Sequence, residues 1–306
     1  MRAIRHWFDS KQRTDSNESG SRDIDWMRII PFIALHLGSL AVIWVGVSVF
    51  AVTVAVALYL LRMFAITAFY HRFFAHKSFK TSRVVQLTFA VIGASATQRG
   101  PLWWAAHHRK HHRFADQPDD PHSPKQGFWW SHIGWFLNKQ HFNTDYAMVP
   151  ELATYPELRW LDRFDIAVPI LLAVSLYVLG EMMAAWFPSM QTNGWQLVVW
   201  GYCISTIVLL HATLLINSLA HKMGSRRYYT PDHSRNNFWL ALLTLGEGWH
   251  NNHHYHAASA RQGFYWWEVD ISYYILSIMN KLGLIWDMRT IPVAKRDRNH
   301  LSKDVV

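Results

Sequence analysis

The sequence predicts an all-α membrane protein: four transmembrane helices in two hairpins, with a cytoplasmic helical cap holding a histidine-rich metal site. Three observations predict it. Two long stretches, residues 29–70 and 166–220, are apolar and almost free of charge. Histidines crowd into short clusters, HRFFAH, HHRKHH and HNNHHYH, and these abut the ends of the apolar stretches. Lys and Arg avoid the turn of each hairpin and gather on the segments that carry the histidines.

Residues 1–28 are polar and charged, with no apolar run of the kind a secretory signal needs, and read as a cytoplasmic arm. Residues 29–70 carry one charge, Arg62. As one helix they would reach about 63 Å, twice the hydrocarbon thickness, so they fold back, near residues 46–48. Residues 71–165 form a cytoplasmic region with the first two histidine clusters. Residues 166–220 form the second hairpin, with a polar turn at 187–194, and residues 221–306 a second cytoplasmic region with the last cluster. Residues 84–96 are apolar but too short to span, and 264–286 are aromatic-rich but broken by Glu268, Asp270 and Lys281. Both read as interfacial or as packed beneath the cap.

Composition agrees. Apolar residues make up 51% of the 306 and charged residues only 17%, below the usual quarter for soluble domains. Seventeen Trp and twelve Tyr suit two membrane interfaces. Of 30 Lys and Arg, 6 precede residue 29, 12 lie in 71–165 and 11 follow residue 220. The positive-inside rule then puts both termini and every histidine cluster in the cytoplasm. The net charge of +9 points to anionic lipid or an acidic electron carrier rather than to nucleic acid, given the apolar runs. The one cysteine, Cys203, excludes an intramolecular disulfide and any cysteine-based zinc or iron–sulfur site.

The spacings carry the chemistry. His108, His111 and His112 lie three and four apart, as do His250, His253 and His254, so on a helix each trio can converge on one place. His71 and His76 are five apart, about 140° round an α-helix, and would grip from two sides unless the helix ends between them. Asn217 and His221, four apart, end the last apolar stretch. Nine imidazoles exceed what one zinc demands and suit two metals, with iron, copper, zinc and nickel all compatible. Asp116, Asp119, Asp120 and Glu247 are the nearest acids in sequence and candidates to hold the outer ring nitrogens. Gly246 and Gly248 imply a tight backbone approach before His250. His36 and His211, inside apolar stretches, read as hydrogen-bonded structural residues, and His6, His233 and His300 as solvated.

HRFFAH, HHRKHH and GEGWHNNHH, with NSLAH before the last, resemble the membrane fatty acid desaturases, in particular the acyl-CoA delta-9 (stearoyl-CoA) type. QRGPLWWAAHHRKHH, DPHSPKQGFWWSHIGW and ARQGFYWWEVDISYY resemble its bacterial branch. The resemblance runs from about residue 26 to 292 and implies an inner-membrane, multi-pass, non-haem di-iron oxidoreductase. With dioxygen and two external electrons, it would place a cis double bond in a saturated long-chain acyl-CoA. It implies one iron on His71, His76, His108, His112 and His253. The other iron is implied on His111, His221, His250 and His254, with Asn217 reaching it through a water. Thr213 matches the family's threonine near the bend of the acyl chain, and Gln98 also matches the family. At Arg28, Arg99, Ala106, His107 and Leu214 the animal members have asparagine, asparagine, arginine, aspartate and tryptophan. The coenzyme A contacts are therefore not retained, although Arg28 and Arg99 could meet phosphates. A phospholipid- or carrier-protein-linked chain stays open as substrate.

No haem, iron–sulfur or nucleotide motif supplies electrons, so a separate ferredoxin, rubredoxin or cytochrome with its reductase is implied. A di-iron alkyl hydroxylase is the competing enzyme, separated by an alcohol product. A histidine-rich transporter or sensor is the competing non-enzyme. A transporter would carry ionisable groups through the depth of its spans, where this chain has only His36, Arg62, Glu181 and His211.

Overall fold

A computed structural model describes residues 9, 10, 23, 24, 26–298 and 300, with the side chains of residues 27 and 28 outside the description. The candidate Arg28 and the sequence reading of His6 and of most of the N-terminal arm fall outside it. The described residues are mostly helical.

Helix α1 (Trp26–Leu40) contains Pro31 and is followed by a single helical turn, Val42–Val45. Gly46, at φ +69°, reverses the chain there, a backbone region that L side chains disfavour. Ser48 then caps α2 (Val49–Ala75), its hydroxyl accepting from Ala51 N at 3.1 Å. Beyond residue 70 the helix continues as one rod, changing to π geometry over Ala65–Ala75. Helix α3 (Arg83–Ala94) is capped by Ser82, and α4 (Pro101–Phe114) begins with proline at its first turn. Helices α5 (Ala167–Trp186) and α6 (Gly194–His221) form the second hairpin. They cross where Gly180 faces Asn193 and Gly194 with no room for a Cβ. The short α7 (His250–Tyr255) and α8 (Ile271–Lys281) complete the cap. Strands β1 (Lys80–Thr81) and β2 (Ile285–Trp286) pair antiparallel and tie the C-terminal segment to the end of α2.

Among the described residues, three helices, α2, α5 and α6, are long and apolar enough to cross a membrane. The sequence predicted four. The first apolar stretch falls short at Ile29–Val45, because the chain turns at Ala41 and reverses at Gly46. Helix α3 is a further short apolar helix.

The main apolar core lies where α2, α3 and α4 meet, with Phe69 stacked on Phe89 at 3.9 Å and Leu102, Leu158 and Leu209 fully buried. Arg62 is buried on α2 without a carboxylate. All five guanidinium hydrogens find oxygens, on Leu58, Ser95, Gly201, Ser205 and Thr206, so the charge stitches α2 to α6 and to the end of α3. This core holds the ends of α2, α4, α6 and α7 at one level, and all the clustered histidines sit there.

Candidate metal centre

Helix α2 delivers His71 and His76. An α-helix would set them about 140° apart. The π geometry removes that separation: the His76 amide donates to the His71 carbonyl at 3.1 Å, an i to i+5 bond, and the rings lie 4.8 Å apart. The helix ends at Ala75, between the two histidines, which is the second outcome the spacing allowed, and the two rings come to one side.

Helices α4 and α7 also depart from expectation. Neither trio converges on one place. On α4, His108 and His112 face one way and His111 another. On α7, His250 and His254 pair off, four apart, and His253 faces the other way. Two groups result: His71, His76, His108, His112 and His253, and His111, His221, His250 and His254. The membership is that of the two sets named above. Within each group one ring nitrogen per residue lies within 4.8 Å of the others. Burial pushes the His76, His108, His112, His250 and His253 imidazoles well below the usual histidine range, so they are neutral.

The outer nitrogens decide what the inner ones can do. Asp120 faces His111 Nδ1 at 3.0 Å, Asp116 faces His221 Nδ1 at 3.3 Å and Asp232 faces His254 Nδ1 at 2.9 Å. Glu247 meets His71 Nδ1 and is itself held by Arg72. Burial raises the Asp232 pKa, but His254 and Ser234 outweigh it and hold the carboxyl below its usual range. Asp120 behaves likewise, with His111 and His122 opposing its burial. A carboxylate only accepts, so a neutral imidazole at each of these four positions carries its proton on Nδ1 and turns a bare Nε2 lone pair inward.

That creates a testable fit for a cation. His111 Nε2 and His254 Nε2 lie 3.3 Å apart, and both of their protons are committed to carboxylates. No hydrogen bond can join them; a positive ion between them can. Elsewhere His71 Nε2 is 3.0 Å from His253 Nε2, which is 2.8 Å from His112 Nε2, and His221 Nε2 is 3.0 Å from His250 Nε2. The donor sets are all neutral nitrogen, which iron accepts and which Mg or Ca does not favour.

Two cavities meet at the groups. The larger, about 290 Å³, is mainly apolar and runs between α1, α4 and α6. The smaller, about 40 Å³, reaches His71, His111 and His250. Both are lined by Trp104, His108, Thr213 and Asn217. Gln98 donates to Thr213 Oγ1 at 3.1 Å at this junction. The candidate Arg99 lines the larger cavity, but its guanidinium is already spent on Asp165 and on the Phe142 carbonyl at 3.0 Å, not free for a phosphate. Ala106 is buried, while His107, hydrogen-bonded to the Trp103 carbonyl, and Leu214 face the same cavity.

Of the acids named from sequence, Asp119 is exposed and holds no imidazole, and the other three do. Asp232 was missed. It lies 22 residues from its partner, and no local spacing pairs them. Gly246 and Gly248 allow the expected tight approach: a Cβ on Gly246 would strike Asp270, and one on Gly248 the backbone of Ala241.

The fatty acid desaturase family model matches residues 46–276, which contain every one of these histidines. The chain belongs to the fatty acid desaturase family. It is 38% identical to an sn-1 stearoyl-lipid 9-desaturase of Anabaena variabilis over 87% of this chain and 94% of that one. It is 36% identical to a chloroplastic palmitoyl-monogalactosyldiacylglycerol delta-7 desaturase of Arabidopsis thaliana, over 83% of this chain and 66% of that one. It is also 36% identical to an acyl-CoA 5-desaturase of Anemone leveillei, over 80% of this chain and 71% of that one. The acyl-CoA type expected from the motifs is thereby widened, because lipid-linked desaturases are among the relatives. Desaturation is an oxidoreduction, and three apolar helices beside two histidine groups suit a membrane enzyme of this family.

Proposed function

We propose that the chain is an oxygen-dependent delta-9 desaturase of saturated long-chain acyl groups carried on membrane glycerolipid. The observation that carries the reading is the junction of the two cavities, where a mainly apolar cavity meets two groups of inward-facing imidazole lone pairs. His71, His76, His108, His112 and His253 would hold one iron. His111, His221, His250 and His254 would hold the other, with Asn217 reaching it through a water. The pair of irons supplies, when bound, the oxidation of an unactivated methylene pair by dioxygen and two external electrons.

The chain's own residues bind, orient and keep the site dry. Glu247, Asp116, Asp120 and Asp232 fix the tautomer and direction of four imidazoles. Trp104 and the aliphatic walls exclude water from the acyl chain. Thr213, braced by Gln98, lies where the cavities meet, and an acyl chain that bends there can expose one methylene pair in a cis geometry. The lipid carrier is favoured by the lipid-linked relatives and by the engagement of Arg99 with Asp165. The Anemone relative favours a second reading, acyl-CoA as carrier. The basic cytoplasmic face would suit a separate acidic electron donor, a ferredoxin, rubredoxin or cytochrome with its reductase. Both termini and the histidines would face the cytoplasm of a bacterial inner membrane, with Ile29–Val45 as a fourth, short crossing.

The test is gas chromatography–mass spectrometry of double-bond position, performed separately on the glycerolipid and acyl-CoA pools of a desaturase-deficient host. The wild-type chain should give a new cis double bond nine carbons from the carboxyl, first in glycerolipid, and His253→Ala none. First appearance in acyl-CoA would establish the second reading, and an alcohol would establish a hydroxylase.

A further inference from the structure

Three histidines outside the metal groups form a chain of their own. His36 on α1 faces His211 on α6, Nε2 to Nε2 at 3.1 Å. His211 Nδ1 faces His132 Nε2 at 3.0 Å, and His132 Nδ1 faces Ser218 Oγ at 3.1 Å. The chain ends on two backbone carbonyls, Phe32 at 2.8 Å from His36 Nδ1 and Leu214 at 3.0 Å from Ser218 Oγ. Ionisable groups at such depth are costly and mark function more often than packing.

The three elements joined in this way are three walls of the large cavity. Helix α1 contributes Phe32 and Leu35, the segment around His132 contributes Phe136 and Leu137, and α6 contributes Leu210 and Leu214. Helix α1 is one helix thick, and its outer side, with Ile33, Leu37 and Leu40, is exposed. Among the described residues, only α1 separates this side of the cavity from what lies outside.

We propose that α1 is a side door through which the acyl chain of a membrane glycerolipid enters the cavity, and that His36, His211 and His132 are its latch. This rests on the lipid-carrier reading above. A lipid's acyl chain lies in the bilayer beside the helices, and its shortest way into the cavity is sideways, between them. The latch suits repeated opening because it is never complete. With one proton on each ring, three imidazoles and one hydroxyl bring four protons to five contacts, so one contact is unmade. Beside it α1 packs closely on α6, Gly38 against Cys203. Pro31 lends no N–H to the helix ladder and gives α1 a place to bend.

The Gly38 contact supplies the experiment. A Cβ on Gly38 would stand 4.0 Å from Cys203 Cβ and 3.0 Å from its Sγ, within disulfide geometry. Gly38→Cys should therefore bolt the door on oxidation and free it on reduction. In lipid nanodiscs with the full-length chain, reduced Gly38→Cys should desaturate nanodisc glycerolipid like wild type. The oxidised form should lose at least about tenfold while keeping its iron content, and recover with reductant. An oxidised form that works at the wild-type rate overturns the door. Wild type that leaves glycerolipid untouched while desaturating acyl-CoA overturns the carrier reading instead. The latch has a readout independent of activity: Cys203 is buried beneath α1, so its labelling by N-ethylmaleimide reports opening. His36→Phe should label several-fold faster than wild type, and equal rates overturn the latch.

Discussion

The two imidazole groups sit side by side and share α4 and α7, yet they are backed differently. The group of four has three carboxylates behind it, on His111, His221 and His254. The group of five has one, Glu247 on His71, and that carboxylate is shared with Arg72, which Asp270 also holds at 2.9 Å. Carboxylate backing raises ligand basicity. The group of four therefore presents the more electron-rich nitrogens, and the group of five leaves a bound cation more positive. Two equivalent sites would need no such asymmetry; two sites with different tasks would.

Breaking either group should cost most. His253→Ala and His254→Ala should each lower desaturation at least about a hundredfold, since each removes an inward nitrogen. Iron analysis of the purified variants should show about half the wild-type iron if the groups are independent, and near-complete loss from both if they are coupled.

The backing carboxylates should separate the groups more sharply. Asp232→Asn should reduce activity or metal affinity by about 10–100-fold with little change in melting temperature. Glu247→Gln should also lower the melting temperature, because it leaves the fully buried Arg72 with half its compensation. Thermal melts with iron quantification check both, and equal melting temperatures would remove the distinction.

Acid should act next. His76, His108, His112 and His253 have pKa values depressed in the folded state, burial being the first cause. Such groups stabilise the fold fully above the unfolded value of about 6.5, and the contribution is lost as pH falls toward the depressed folded values. In His254 burial also lowers the pKa, but Asp232 opposes it. The metal-free protein should lose melting temperature steadily from pH 7 to pH 5. Most of that slope should come from the group of five, so His76→Asn should flatten it more than His254→Asn.

The smallest effect is expected at the mouth. Arg99→Gln should change the KM for acyl substrate by less than about threefold, because Arg99 is engaged with Asp165. A larger rise confined to acyl-CoA would point to a phosphate contact and to the second carrier reading.

Much of the site was legible from residue types and spacing. The clusters themselves, their place at the ends of apolar stretches and Asp120 beside His111 follow from local sequence, whereas the partners of Asp116 and Glu247, His221 and His71, lie far along the chain. Their division into two groups does not. His108, His111 and His112 share a helical face within about 100°, and which of them turns to which neighbour depends on where α7 and α6 lie against α4. The π geometry of α2 was also illegible, because AITAFYHRFFA would form an ordinary α-helix equally well by propensity. Packing against α3 and α4 accompanies the wider turn.

By itself the sequence determined the class of molecule: apolar length, charge placement and histidine supply are properties of the chain that no packing alters. Tertiary structure alone decided the pairings made across long separations, Asp232 with His254, Arg99 with Asp165, and His36 with His211 and His132. The physical reason is that a hydrogen bond or an ion pair is specified by distance in space. Local sequence constrains that distance only within a few residues along a helix or turn.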